Sequence, residues 1–365
     1  MRSILLTGAL ACGAACAQAT PAPATDGWTV YADLFAWQAS DAMPISQLDG
    51  QWTAYSPRAG HNTFLMRSRA AAGVEKNRWR LGLELRQDAW LSTDRDSLDT
   101  VYLYQQKGKP VPPASFALQG RYFSWQALGL RAGYTFDGPR IAGRPSSIEL
   151  SGALYGRQRL RDRSVSGMLA YPQAETYEFA ATHIDADSRM SYPFMGDAPR
   201  ASGAGLSLAA TLPLADAWTL RLQADDLASR LRWKNLPLDT ETLSSDVRSY
   251  DENGYVNYRP LLSGRKRQVD RNFRIPRYTA AALDYRSGTW GAGVQLARYA
   301  GETIPTFSLS HRLGWLTLRA NVETRFDSAG IGVEAGNFRL MLLSDALRLD
   351  EAKTRSLQLH YHVEF

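Results

Sequence analysis

Apolar and polar residues take turns along most of this chain. Trp79, Leu81, Leu83 and Leu85 are separated by Arg80, Gly82, Glu84 and Arg86. Trp218, Leu220, Leu222 and Ala224 are separated by Thr219, Arg221, Gln223 and Asp225. The same period runs through 148–155, 290–297 and the closing stretch SLQLHYHVEF. Successive side chains of a strand point to opposite faces, so each stretch has one greasy face and one that is charged, polar or very small. Helical periodicity is scarce. The pattern predicts strands near 28–40, 61–75, 79–91, 120–136, 147–161, 201–213, 218–234, 274–286, 289–300, 304–313, 315–326, 329–336, 338–347 and 355–365.

A soluble β-sandwich also alternates, with its greasy faces meeting in a core. Three features favour a membrane barrel, in which the greasy faces meet lipid and the polar faces meet inside. Many strands exceed the ~5–6 residues of ordinary sheets and reach the ~9–11 that cross a bilayer. The other face mixes Arg and Glu with Gly and Ala, as a lumen would. Long connections near 41–60, 92–119, 162–200 and 235–273 alternate with short turns at 76–78, 214–217, 287–288 and 314 over much of the chain. Short periplasmic turns and long external loops are the barrel arrangement. Both termini then lie on the periplasmic side, which requires an even strand count. The expected fold is all-β: a transmembrane antiparallel up-and-down barrel of about 14 strands, within a range of ~12–16. The stretch 162–200 has room for another hairpin. Trp28, Trp79, Tyr134, Phe136, Trp218, Tyr285, Trp290, Phe338 and Phe365 fall near the inferred periplasmic strand ends, as an interfacial girdle would.

Composition agrees with export. Arg2, the apolar run 4–11 and the small residues after it read as a secretory signal, with A-x-A patterns ending at Ala17 and Ala19. The expected organisation is a signal peptide over 1–19, a short periplasmic segment over 20–27 and one barrel over 28–365. The two cysteines, Cys12 and Cys16, fall inside the signal, so no disulfide framework is expected. Net charge is +6, mostly from Arg, but export argues against nucleic acid as a partner. No apolar run is long enough for a membrane-spanning helix.

The last strand, with Leu357, Leu359, Tyr361, Val363 and Phe365 on its lipid face, resembles the C-terminal signal common to bacterial outer-membrane β-barrel proteins. That resemblance implies an outer-membrane location and a partner in the barrel-assembly machinery of that membrane. Outer-membrane lipids and lipopolysaccharide are the other expected envelope partners, the latter through cations near the external rim.

Catalytic constellations are sparse, and no enzyme activity, cofactor or metal is expected. Ser310 and His311 are adjacent and so face opposite ways. His360 and His362 share a face of the last strand and read as polar filling. Asp225 and Asp226 point apart if their strand is regular. The lumen is the informative set. Parity makes Arg67, Arg69, Arg80, Glu84, Arg86, Arg131, Glu149, Arg157, Arg221, Asp225, Arg319, Glu323 and Arg339 pore-lining. Guanidinium groups stay charged, and a surplus of them selects anions. The sequence therefore suggests a porin-like channel for small polar or anionic solutes. Two readings remain beside it: a closed barrel whose long loops bind a surface polymer or envelope protein, and an outer-membrane hydrolase using His360 and His362.

Overall fold

A computed structural model describes residues 27–106, 112–173, 176–246, 248–250, 256–258 and 260–365. The signal segment and its cleavage positions lie outside these. The strands are β1 (Thr29–Ser40), β2 (His61–Lys76), β3 (Trp79–Asp94), β4 (Ala114–Ile141), β5 (Arg144–Gln173), β6 (Thr176–Asp187), β7 (Arg200–Pro213), β8 (Trp218–Ser244), β9 (Arg248–Tyr250), β10 (Val256–Tyr258), β11 (Leu262–Phe273), β12 (Tyr278–Ser287), β13 (Trp290–Tyr299), β14 (Glu302–Leu313), β15 (Leu316–Glu323), β16 (Ser328–Ala335), β17 (Phe338–Ser344) and β18 (Thr354–Glu364).

Fourteen of them close a barrel: β1 to β5, then β7, β8 and β12 to β18, each antiparallel to the next, with β18 returning to β1. Closure removes the free edges that an open sheet would carry. All the predicted strands are present. Their apolar row faces outward: Leu81 is 49% exposed and Leu154 67%, whereas Arg67 is 2% and Arg86 1% exposed. A soluble sandwich would show the reverse. At β18, buried Gln358 alternates with the outward Leu357, Leu359, Tyr361, Val363 and Phe365.

The wall is uneven in height. Strand β5 has 30 residues and β4 has 28, whereas β15 and β16 have 8 each. A bilayer takes ~9–11 residues per strand, so the tall side stands well outside the membrane. There β6 pairs with the upper parts of β5 and β8, and β11 pairs with β8. Residues 162–200 do hold a further hairpin, β5–β6. Strand β11 was not expected. Its sequence, LSGRKRQVDRNF, is polar on both faces, so it carries no alternation to read.

The 92–119 connection contains a helix, α1 (Arg95–Gln105). Asp94 caps it by accepting a hydrogen bond from the Ser97 N–H at 2.8 Å. Leu98 of α1 packs with Ala42 and Met43 of the first external loop, and Tyr55 stacks on Tyr102 at 4.5 Å. That loop is pinned to a neighbouring part of the rim: Arg325, in the β15–β16 turn, donates to both oxygens of Asp41 at 2.7 and 3.0 Å.

Burial pushes the Asp41 carboxyl up, but hydrogen bonds from Arg325 and the Thr63 N–H, with the charges of Arg325 and Arg58, outweigh it and hold its pKa below the ordinary 3.8. A lowered folded pKa gives stability that is present above the ordinary value and lost as pH falls through the folded one. Protection factors of the amides over 41–60, which remove the intrinsic pH dependence of exchange, are therefore expected to stay flat from neutral pH down to about that range and to fall below it. Asp41→Asn should quicken exchange already at neutral pH.

Candidate functional site: the barrel lumen

Strand closure brings together charges that are far apart in sequence. The central layer holds four arginines and four carboxylates, all on inward rows. Arg67 pairs with Asp225 on the opposite wall. Arg69 reaches Glu84 at 3.3 Å and Asp225 at 3.5 Å, and Arg131 reaches Glu84 at 3.1 Å. Arg86 contacts both Asp88 and Asp226 at 2.6 Å. Two phenols complete the layer: Tyr155 Oη donates to Glu84 at 3.1 Å, and Tyr299 Oη donates to Asp88 at 3.1 Å. Glycines make the room. A Cβ at Gly129 would lie 2.7 Å from the Tyr155 ring, and one at Gly205 would lie 2.9 Å from Asp226 Oδ1.

Two bulges shape this layer, and parity reading misses both. On β8, Asp226 has a left-handed φ of 55°, and the β7–β8 register shifts between Leu206 and Leu208. The extra residue turns Asp225 and Asp226 into the same lumen rather than to opposite faces. On β5, Arg157 has φ 43° at the matching β4–β5 shift. Tyr155 and Gln158 both face inward there, the latter accepting from Trp125 Nε1 at 3.0 Å. Arg157 is left exposed in the bulge, away from the pore-lining row to which parity assigns it.

Below lies a looser polar layer. Arg80 pairs with Asp33 and, at 3.3 Å, with Glu75. His360 Nδ1 hydrogen-bonds Asp33, and its ring is 5.4 Å from that of His362. Arg221 grips Asp284 with two bonds, 2.7 and 2.8 Å, and Arg339 meets Glu334 at 3.2 Å. Glu149 faces inward beside Gly133, and Arg319 lines the wall near Arg221. Glu323 lies higher, at the external end of β15, where it accepts from Ser328 Oγ and the Phe326 N–H at 3.1 Å each. His311 is on the outside, 4.3 Å from the Trp290 ring, so it does turn away from Ser310.

Above the charges the lumen is aromatic. One cluster gathers Phe35, Trp37, Leu65, Tyr278, Tyr299, Ile304 and Phe326. The other gathers Phe123, Trp125, Leu160, Leu231, Trp233, Leu236, Phe273 and Ile275, with Trp90 packed against both. Assigning every greasy row to lipid hides this. On β1 the outward row is Val30, Ala32, Leu34 and Ala36, while Tyr31, Phe35 and Trp37 are inside with Asp33. The legible signal was two apolar rows of unequal bulk, with the small aliphatic one outside.

Two cavities sit along the axis. The upper, about 500 Å³, is walled by Trp90, Phe123, Phe273, Ile275 and Pro276 together with Arg121, Arg271, Arg274, Asn272 and Ser92. The lower, about 80 Å³, runs from Phe35, Trp37, Tyr299 and Ile304 down to Arg221, Asp284 and Arg319. Trp90 lines the upper one and Tyr299 the lower.

A closed antiparallel barrel with an apolar outer belt, periplasmic aromatic ends and a charged interior defines a bacterial outer-membrane β-barrel protein. No family model matches the chain, and no curated protein sequence does. Among solved structures, it is similar to the toluene transporter TodX of P. putida, with 12% identity and a TM-score of 0.42 over 94% of this chain and 91% of that one. It is similar also to the toluene transporter TbuX of Ralstonia pickettii, with 10% identity and a TM-score of 0.31 over 93% and 90%. A Pseudomonas aeruginosa FadL homologue aligns at 12% identity and a TM-score of 0.30 over 92% and 88%.

Proposed function

We propose that the barrel passes small apolar molecules, of about the size of a single aromatic ring, from the outside towards the periplasm. The observation that carries this reading is the pairing of the cations in the central layer. Anion passage presupposes guanidinium groups free to hold a solute. In the central layer four arginines meet four carboxylates at hydrogen-bonding or ion-pair distance, so that layer carries no surplus of positive charge.

What is left for a solute above that layer is a cavity with three aromatic rings in a wall shared with polar groups. The upper cavity of about 500 Å³ falls inside the ~300–1,000 Å³ range of small-molecule sites, which are mostly apolar with a few polar groups. Ring faces and edges accept other rings at centroid separations of ~4.5–7 Å. Arg121, Arg271 and Arg274 supply its charges, with Ser92 and Asn272 as its other polar groups. Arg121 lies 5.3 Å over the Trp90 ring, and Arg271 lies 5.0 Å over the Phe273 ring. Solute would leave the upper cavity past Trp90 and Tyr299 for the lower one.

The test compares two solutes in one host. Cells carrying the protein should take up a labelled alkylbenzene faster than cells without it, and planar bilayers should show little anion current. A steady anion-selective current with no gain in alkylbenzene uptake would return the lumen to the anion-channel reading.

A second reading rests on the tall side of the wall. Strands β4, β5, β6, β8 and β11 form a sheet that continues beyond the membrane, a platform suited to a surface polymer or envelope protein. Absence of both uptake and current would favour it.

A further inference from the structure

The cations of the central layer have carboxylate partners, while a set on the outer surface has none among the described residues. Arg157 and Arg159 on β5, Arg200 on β7, and Arg230, Arg232 and Lys234 on β8 are exposed. They lie on neighbouring strands: Arg200 is opposite Lys234, and Ser202 is opposite Arg232. The residues between them, Leu160, Leu231 and Trp233, are buried inside, so the cations occupy the outward row. Among the described residues no carboxylate lies within ion-pair distance of any of the six. Arg230 has one long bond, 3.4 Å, to the Asn272 side chain, and the nearby exposed Asp270 is held by the Asn235 N–H.

Their height is informative. Arg230 lies twelve positions past Trp218 of the periplasmic girdle, and Arg200 lies twelve from Leu212 at the periplasmic end of β7. A strand crosses the hydrocarbon in ~9–11 residues. The cations therefore sit at the outer headgroup level, directly above the exposed Leu154, Leu206 and Leu227. Whatever neutralises them must carry anionic groups at that level and acyl chains immediately below. A soluble protein or a free phosphate has only the first of these.

We propose that this patch binds the phosphorylated headgroup of lipopolysaccharide, its lipid A phosphates held by the six cations and its acyl chains lying along the leucine row. Guanidinium groups suit phosphate because their donors bind two oxygens at once. Three strands spaced ~4.8 Å apart spread the charge widely enough for a headgroup with two phosphates. The site is on the outer wall and stands whether or not the lumen conducts.

The purified barrel is titrated with bisphosphorylated lipid A, monophosphorylated lipid A and phosphatidylglycerol in neutral detergent, with binding read by native mass spectrometry. Bisphosphorylated lipid A should bind most tightly. The variant Arg159→Gln/Arg230→Gln/Arg232→Gln/Lys234→Gln should bind it at least about tenfold more weakly, a loss of ~1.4 kcal/mol. It should keep the gel mobility of the unheated folded barrel. Arg265→Gln/Arg267→Gln, exposed on β11 further from the membrane, should bind like the wild type. Equal binding by the quadruple variant, or equal binding of all three lipids, overturns the proposal.

Discussion

Arg86→Met is expected to lower the unfolding free energy by about 3–5 kcal/mol, the cost of removing one partner from a buried ion pair. Arg86 is 1% exposed and donates to Asp88 at 2.6 Å and to Asp226 at 3.0 Å. Nothing else described carries a positive charge to Asp226 at ion-pair distance. Methionine would fill much of the space and leave two carboxylates in a dry layer with too little positive charge. Arg157→Met removes the same charge from the exposed bulge and should stay within ~0.5 kcal/mol of the wild type. Urea unfolding in phosphatidylcholine vesicles, followed by tryptophan fluorescence and unheated gel mobility, measures both. Equal stability of the two variants would mean that water fills the central layer and solvates its charges.

The second large effect concerns the aromatic barrier. Trp90→Ala/Tyr299→Ala should raise single-channel conductance by about tenfold or more, which corresponds to a barrier lowered by ~1.4 kcal/mol. Trp90 packs against both aromatic clusters, and Tyr299 is fully buried between the upper rings and the lower cavity. Apolar constrictions stop ions by excluding water, so deleting two rings lets a continuous water column form. Tyr299 also donates to Asp88, so its loss loosens the charged layer beneath. Planar-bilayer recording on protein shown to be folded by its gel mobility decides the matter. A conductance unchanged from wild type would place the barrier in the ion-pair layer and remove Trp90 and Tyr299 from the route.

These two variants also separate the alternatives for function. A barrel built to bind partners through its extracellular sheet would lose nothing in partner binding when its rings are cut back. A conduit for apolar solutes would lose selectivity at once, because water and ions would follow the same path.

Much of this architecture was legible in the chain. Period-two rows, short turns at Asn77-Arg78 and Gly288, and girdle aromatics at Trp79 and Trp218 placed the strands, their count and the lipid-facing side. A bilayer imposes that legibility: each strand must cross a fixed thickness with an apolar outer row and every backbone group paired. Above the membrane the constraint vanishes, which is why β11 and the upper reaches of β5 and β8 carried no readable pattern.

Only the tertiary structure decided what the inward residues do. Arg67 meets Asp225 across 158 residues of chain, and Arg86 meets Asp226 across 140. Closure of the ladder sets such partnerships, and no local spacing records them. The bulges at Arg157 and Asp226 are likewise settled by register between neighbouring strands, and each moves a charge off the face that alternation assigns to it. On strands with one apolar row and no bulge the sequence determined which row is inside, because burial acts on each strand separately. The fold determined whether those charges are free or neutralised, because that depends on which strands face one another across the hollow.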